Sequence, residues 1–187
     1  MNHTLKIVST IVIAFSLNAC NHDSTLDTKE KAEERNDAKF DSKASEADAQ
    51  FIVDAYSAGM VEINLSQRAL DLAVTSDVKD LAQNMISAHQ KMNSELEKLA
   101  TQKQITIPHD LNDKQISNIN SICSKKGRDF DVAYTDQLIS DHKDAVSLFE
   151  KASENATDKD IRDYFINGAP MIREHLDKAS EMKDRLK

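Results

Sequence analysis

The sequence predicts an all-α protein built as a four-helix bundle, and three observations support this fold class. The 187 residues include only three Gly and two Pro, whereas a β-sandwich or barrel needs a turn about every 8–12 residues. Apolar residues recur at steps of three and four in four long segments, which is the period of an amphipathic helix. Two of the three connections between these segments are only a few residues long, and short connections produce antiparallel helix hairpins.

The composition also narrows the function. The chain has 24 Lys and Arg residues against 32 Asp and Glu residues, a net charge of −8. Binding to nucleic acid needs a basic face that can contact phosphates. We therefore expect no nucleic-acid partner.

Residues 1–19 have the features of an export signal. Lys6 precedes an apolar stretch at 7–17, which is shorter than the roughly 20 residues that span a bilayer but fits the apolar part of a signal peptide. The sequence Leu-Asn-Ala-Cys at 17–20 resembles the lipobox of bacterial lipoproteins, in which Cys20 becomes the lipid-bearing first residue. Asn21 follows where Asp often marks inner-membrane retention. We expect an exported protein anchored by lipid at the periplasmic face of the outer membrane; the alternative is an ordinary signal peptide with an incidental Cys.

Residues 20–43 are expected to form the lipidated Cys and a disordered tether. Between 21 and 43 the sequence is dominated by charged residues, and Leu26 and Phe40 are its only large apolar residues. Such a segment cannot bury a core. The folded domain is therefore expected over residues 44–187.

The first two bundle helices are predicted at 45–74 and 76–103, and the last two at 129–155 and 158–186. Capping boxes are expected at Ser45 with Asp48 and at Thr157 with Asp160. Pro170 is expected to kink the last helix. The long connection at 104–128 is predicted to contain a short helix at 113–123. Because it could reach along the whole bundle, both simple up-and-down order and a long crossover remain open.

Each of the four apolar stripes is interrupted near its middle by one ionisable residue. These residues are Glu62, His89, His142 and His175. Imidazole and carboxylate are ligands that zinc, iron, copper and manganese share in helix bundles, so the layer predicts a transition-metal site. A hydrogen-bonded His–Glu layer without metal is the structural alternative. Asp141 and Glu174 each precede an inward His and are expected to support the site from a second shell.

Motifs that are typical of one bacterial family recur in order along the chain. They are GMVEINLSQRAL at 59–70, HQK at 89–91, DFD at 129–131, DHKDA at 141–145 and HL at 175–176, five residues after Pro170. Together they resemble the domain-of-unknown-function 4142 family over about residues 50–180. The resemblance implies a ferritin-like four-helix bundle, an export signal and a cell-envelope location, and it implies no established activity.

The chain departs from two related patterns. The family commonly has Asp directly before the His of the second bundle helix, where this chain has Ala88. Di-iron ferritin-like sites use Glu three residues before His, whereas here Ile86, Ile139 and Ile172 hold those positions. A standard di-iron oxidase is therefore disfavoured.

We expect the protein to be an envelope lipoprotein whose role is to bind a metal, and we do not expect it to be an enzyme. The sequence does not choose among Zn, Fe, Cu and Mn, and it names no protein partner. Two alternatives remain: a metal-dependent oxidoreductase at the same residues, and an envelope scaffold in which the polar layer is structural.

Overall fold

The computed structural model describes residues 27–187, which form six α-helices and contain no strand. Cys20 and the expected export signal lie outside the described residues. Of the helices in the described range, none is both long enough and apolar enough to cross a membrane. The helices are α1 Lys29–Asp37, α2 Lys43–Leu72, α3 Ser76–Lys103, α4 Asp113–Cys123, α5 Arg128–Asn155 and α6 Lys159–Arg185.

Four long helices form the predicted bundle, and contacts at their ends define its topology. Asp131 in the first turn of α5 accepts hydrogen bonds from the backbone N–H groups of Val74 and Thr75, directly after α2. Helix α5 therefore begins where α2 ends. Because α3 returns antiparallel to α2, it runs parallel to α5, and residues 104–127 must cross the length of the bundle. One such crossover is the connectivity of ferritin-like bundles, so the structure selects the crossover over simple up-and-down order.

The helix starts differ from the predicted capping boxes. Ser42 caps α2 by accepting a hydrogen bond from the N–H of Ser45 at 3.1 Å, and Asp158 caps α6. Asp48 and Thr157, which the sequence assigned to separate boxes, contact each other: the Asp48 carboxylate accepts hydrogen bonds from the Thr157 N–H and hydroxyl. Both helices therefore keep a local cap, at Ser42 and at Asp158, and Asp48 and Thr157 instead form a tertiary contact between the hairpins.

The structure also corrects the expected tether, because residues 27–43 are ordered against the bundle. Helix α1 packs on α2 and buries Ala32 and Asn36. The Asn36 side chain accepts a hydrogen bond from the N–H of Thr106 and donates one to its carbonyl, both at 2.8 Å. The two hydrogen bonds of the Asn36 side chain and the packing of Ala32 and Phe40 against the core fix this segment. A criterion based on the density of large apolar residues misses it.

The core consists of two apolar clusters separated along the bundle axis. One includes Ala55, Met92, Ala145 and Ile172, and the other includes Leu65, Met85, Leu138 and Ala179. In every long helix, one buried ionisable residue lies between the residues of one cluster and those of the other. The bundle therefore has a polar layer at mid-height, as the sequence predicted.

Candidate metal centre

The four residues singled out in the sequence meet in this polar layer. Each long helix contributes one of them, because each sits where the apolar stripe of its helix faces the bundle axis. Their relative exposures are 2% for Glu62, 5% for His89, 0% for His142 and 5% for His175. The cluster is therefore shielded from solvent on every side.

Distances within the cluster are short. Nε2 of His89 lies 2.9 Å from Oε2 of Glu62, and Nδ1 of His142 lies 3.5 Å from Oε1 of the same carboxylate. One ring nitrogen from each of His89, His142 and His175 can be chosen so that the three lie within 4.8 Å of one another. The single carboxylate thus faces three imidazoles.

His142 has a defined tautomer. Its Nδ1 lies 2.9 Å from the carbonyl oxygen of Leu138, one turn earlier in α5. A carbonyl can only accept, so Nδ1 carries the proton and donates it. Nε2 is then an unprotonated nitrogen with a free lone pair, which is the form that binds metal ions.

The charges of the cluster are set by burial and by the mutual proximity of the four groups. Burial alone would raise the pKa of Glu62, but the facing imidazoles, above all His89, hold that pKa below its ordinary value. Burial would lower the pKa of His89, and the Glu62 carboxylate raises it above the ordinary value. Burial lowers the pKa of His142 and, with the neighbouring imidazoles, lowers the pKa of His175 to about 4. At neutral pH the layer therefore holds one carboxylate and at least two neutral imidazoles.

Each of the four residues also has one buried polar atom without a hydrogen bond to any residue in 27–187. These atoms are Oε2 of Glu62, Nε2 of His89, Nε2 of His142 and Nδ1 of His175. The Glu62–His89 contact has the distance of an ion pair but not the alignment of a hydrogen bond. Buried polar atoms are almost always partnered in native proteins. Oε2 of Glu62 and Nε2 of His89 are at least paired by charge at 2.9 Å, whereas Nε2 of His142 and Nδ1 of His175 have no polar partner within residues 27–187. Four such atoms in one layer, one from each helix, point to a shared ligand.

The donor set fits one transition-metal ion. Zn–N bonds of about 2.1 Å place two ligands of the same ion no more than about 4.2 Å apart. The imidazole nitrogens lie within 4.8 Å, so small side-chain rotations suffice to bring them to an ion. A single buried carboxylate does not supply the several carboxylates of a di-iron site.

The two residues expected to support the site lie in different environments. Asp141 is half-buried, and its Oδ1 accepts a hydrogen bond from Gln137 at 2.7 Å. Burial, followed by the nearby Glu62 charge, raises the pKa of Asp141 to about 7. Glu174 points to solvent and pairs with Lys178 at 2.7 Å. The structure thus places Asp141 near the cluster and Glu174 away from it.

Two residues beside the cluster were not predicted from the sequence. Asn93 lies one turn after His89 on α3 and is buried, with a relative exposure of 8%. Gly59 lies opposite on α2, and a Cβ atom built there would come within 2.2 Å of Oδ1 of Asn93. The spacing of four residues from His89 was the available signal, because residues i and i+4 share a helix face.

Comparison with known proteins adds a family and no function. The family model described as Domain of unknown function (DUF4142) matches residues 33–182. No curated protein and no solved structure matches the chain. The matched segment contains all four residues of the cluster and extends over well more than half of the sequence. The chain therefore belongs to this domain-of-unknown-function family.

Proposed function

We propose that this protein binds one divalent transition-metal ion in the core of its bundle, through Glu62, His89, His142 and His175. Its role is binding or sequestration of the metal. The observation that carries this proposal is the convergence of four unpartnered buried atoms, one from each long helix, in a single layer.

A metal-free polar layer accounts for these atoms less well. An unsatisfied buried polar atom costs about 1–3 kcal/mol. Without a metal, Nε2 of His142 and Nδ1 of His175 have no polar partner within residues 27–187, and Glu62 and His89 have only their mutual ion pair. A divalent cation that displaces the proton between His89 and Glu62 takes up a lone pair from each of the four residues and neutralises the buried Glu62 carboxylate. Three imidazoles and one carboxylate suit zinc, iron, copper and manganese.

The first test is metal content. The purified protein would be dialysed against each of the four metals, freed of excess metal and measured by elemental analysis. We expect close to one ion per chain for at least one metal, and its loss in His142→Ala. His109→Ala is the matched control, because His109 is an exposed imidazole outside the cluster. Equal metal content in the wild type and His142→Ala would refute the proposal.

The second test isolates the carboxylate. Glu62→Gln keeps the shape of the side chain and removes its charge, so we expect metal affinity to fall by at least 10-fold, a conservative figure since even changes around a metal ligand cost about 10–100-fold. Glu174→Gln is the control because that carboxylate is solvent-exposed and paired with Lys178. Competition with a coloured chelator measures both. Equal affinities of the two variants would remove Glu62 from the ligand set.

We also propose that the protein is exported and held by lipid at the periplasmic face of the outer membrane. The support is the sequence at 1–20: a short apolar stretch after Lys6 and the lipobox-like Leu-Asn-Ala-Cys ending at Cys20. In that compartment the proposed site would bind metal ions of the cell envelope.

A further inference from the structure

A small cavity of about 20 Å³ lies against the Glu62–His89 side of the polar layer. Most of its wall is apolar. Tyr164 also lines the cavity, but its hydroxyl already donates a hydrogen bond to the Met92 carbonyl at 3.3 Å. Glu62, His89 and Asn93 each have a buried polar atom that has no hydrogen bond within residues 27–187. About 10–15 Å³ and two to four polar partners are enough to hold one water molecule.

The side chain of Asn93 is fixed in an orientation that leaves an acceptor free. Its Nδ2 donates to the backbone carbonyl of Tyr56 at 3.2 Å. Because a carbonyl cannot donate, this contact assigns the amide nitrogen and makes the other atom Oδ1. Oδ1 is buried and unpartnered.

Gly59 makes room for this arrangement. A Cβ atom at residue 59 would lie 2.2 Å from Oδ1 and 2.9 Å from Cγ of Asn93. Any side chain at this position would therefore displace the carboxamide. The position of the asparagine side chain on α3 therefore depends on the glycine on α2.

We propose that this cavity binds one water-sized hydrogen-bond donor, which donates to Oδ1 of Asn93 and lies against Glu62 and His89. The inference rests on the proposed metal site and goes beyond it. With an ion held by the four residues, the molecule in the cavity supplies an exchangeable further ligand. The centre is then of the open kind that can exchange a small ligand, in contrast to a closed structural site.

The ligand class follows from the acceptor. Oδ1 has lone pairs and no proton, so it favours a molecule that donates a hydrogen bond, and water fits the volume. Asn93 also lines an outer groove of about 700 Å³ between α2, α3 and the crossover. This side chain therefore stands between the inner cavity and a groove that is open to solvent.

The test uses the purified full chain loaded with Co(II), whose visible absorption reports coordination number. Five-coordinate Co(II) absorbs weakly, and tetrahedral four-coordinate Co(II) absorbs severalfold more strongly. We expect the weaker spectrum in the wild type. Asn93→Leu fills the cavity and removes the acceptor, and Gly59→Ala displaces the carboxamide; both are expected to raise the absorption severalfold with the cobalt content unchanged. Ser94→Ala, which alters only the outer groove, is expected to keep the wild-type spectrum.

The outcomes separate this inference from the metal site on which it rests. Absence of cobalt from the wild type would overturn the metal site. Cobalt bound with a strong four-coordinate spectrum in the wild type, or with the same spectrum in both cavity variants, would overturn the water site alone. If Asn93→Leu does not fold, Gly59→Ala decides.

Discussion

At the scale of the residue, the polar layer joins groups whose environments shift their protonation in opposite directions. Glu62 stays ionised because imidazoles face it, while burial keeps His142 and His175 neutral. His89 is the group that shares its proton most closely with the carboxylate. A metal ion would have to displace that proton, so binding should weaken as the pH falls.

The depressed pKa of His175 gives a test of the layer without metal. His175 titrates at about 4 in the folded protein and at about 6.5 when unfolded. The unfolded state therefore binds more protons in this window, and folding loses stability as the pH falls from 6.5 towards 4. Relative to His175→Gln, the wild type should lose about 1.5 kcal/mol between pH 6.5 and pH 5. Urea unfolding in the presence of a chelator measures this difference.

The wild type must be compared with His175→Gln because Asp141 changes the pH dependence of stability in the opposite direction. Its pKa is raised to about 7 in the folded protein, so its contribution to stability grows as the pH falls. Asp141 is present in both proteins, and its contribution largely cancels in the difference. A stability difference that stays constant with pH would contradict a buried neutral His175.

The sequence could predict the four cluster residues because each interrupts a regular apolar stripe, and a helical period alone is enough to turn them inward. It could not place Glu174 correctly, because a residue next to an inward His lies about 100° away around the helix and can face solvent. Asn93 was missed since a buried amide looks like an ordinary surface residue until its partner Gly59 is known. Pairing across helices is tertiary information.

At the scale of the element, the two hairpins hold each other by one aspartate each. Asp48, near the start of α2, binds the turn between α5 and α6. Asp131, near the start of α5, binds the turn between α2 and α3. The two contacts lie at opposite ends of the bundle and fix the antiparallel order of α2 and α5.

Removal of either carboxylate should therefore destabilise the fold. In Asp131→Ala the N–H groups of Val74 and Thr75 lose a charged acceptor in a buried place, since Asp131 is fully buried. Hydrogen bonds to charged groups contribute about 1.5–3 kcal/mol, and we expect a loss of about 2–3 kcal/mol in urea unfolding. The exposed Asp129→Ala is the matched control. Equal stability of the two variants would show that the turn does not depend on Asp131.

Elements were predictable to the extent that they carry an apolar stripe. The four long helices and the short helix at 113–123 follow from their periodicity. Helix α1 has no such stripe, and it docks through Asn36 and the backbone of residue 106. The long connection at 104–128 is compatible with both up-and-down order and a crossover. The contacts of Asp48 and Asp131 decide between the two topologies.

At the scale of the whole molecule, the crossover sets the position of the site. The connection at 104–127 runs along the outside of the bundle and carries α4 against α2, so the cluster is enclosed by four helices and one flank is covered a second time. Of the four cluster residues, Glu62 and His89 come from one hairpin, and His142 and His175 come from the other. A bound ion would therefore join the hairpins at mid-height, between the aspartate contacts at either end.

The location of the molecule is the remaining prediction, and it depends on one thiol. If residues 17–20 act as a lipobox, Cys20 is the acceptor of lipid, and expression in Gram-negative cells with labelled palmitate should give a labelled protein in the membrane fraction. Cys20→Ala should lose the label, because no other group can replace the thiol at the cleavage site. Cys123→Ala is the matched control, since Cys123 is a partly buried free thiol at the end of α4 and should leave labelling intact. An exported wild-type protein without label would instead indicate an ordinary signal peptide, and the bundle would then be free in the periplasm.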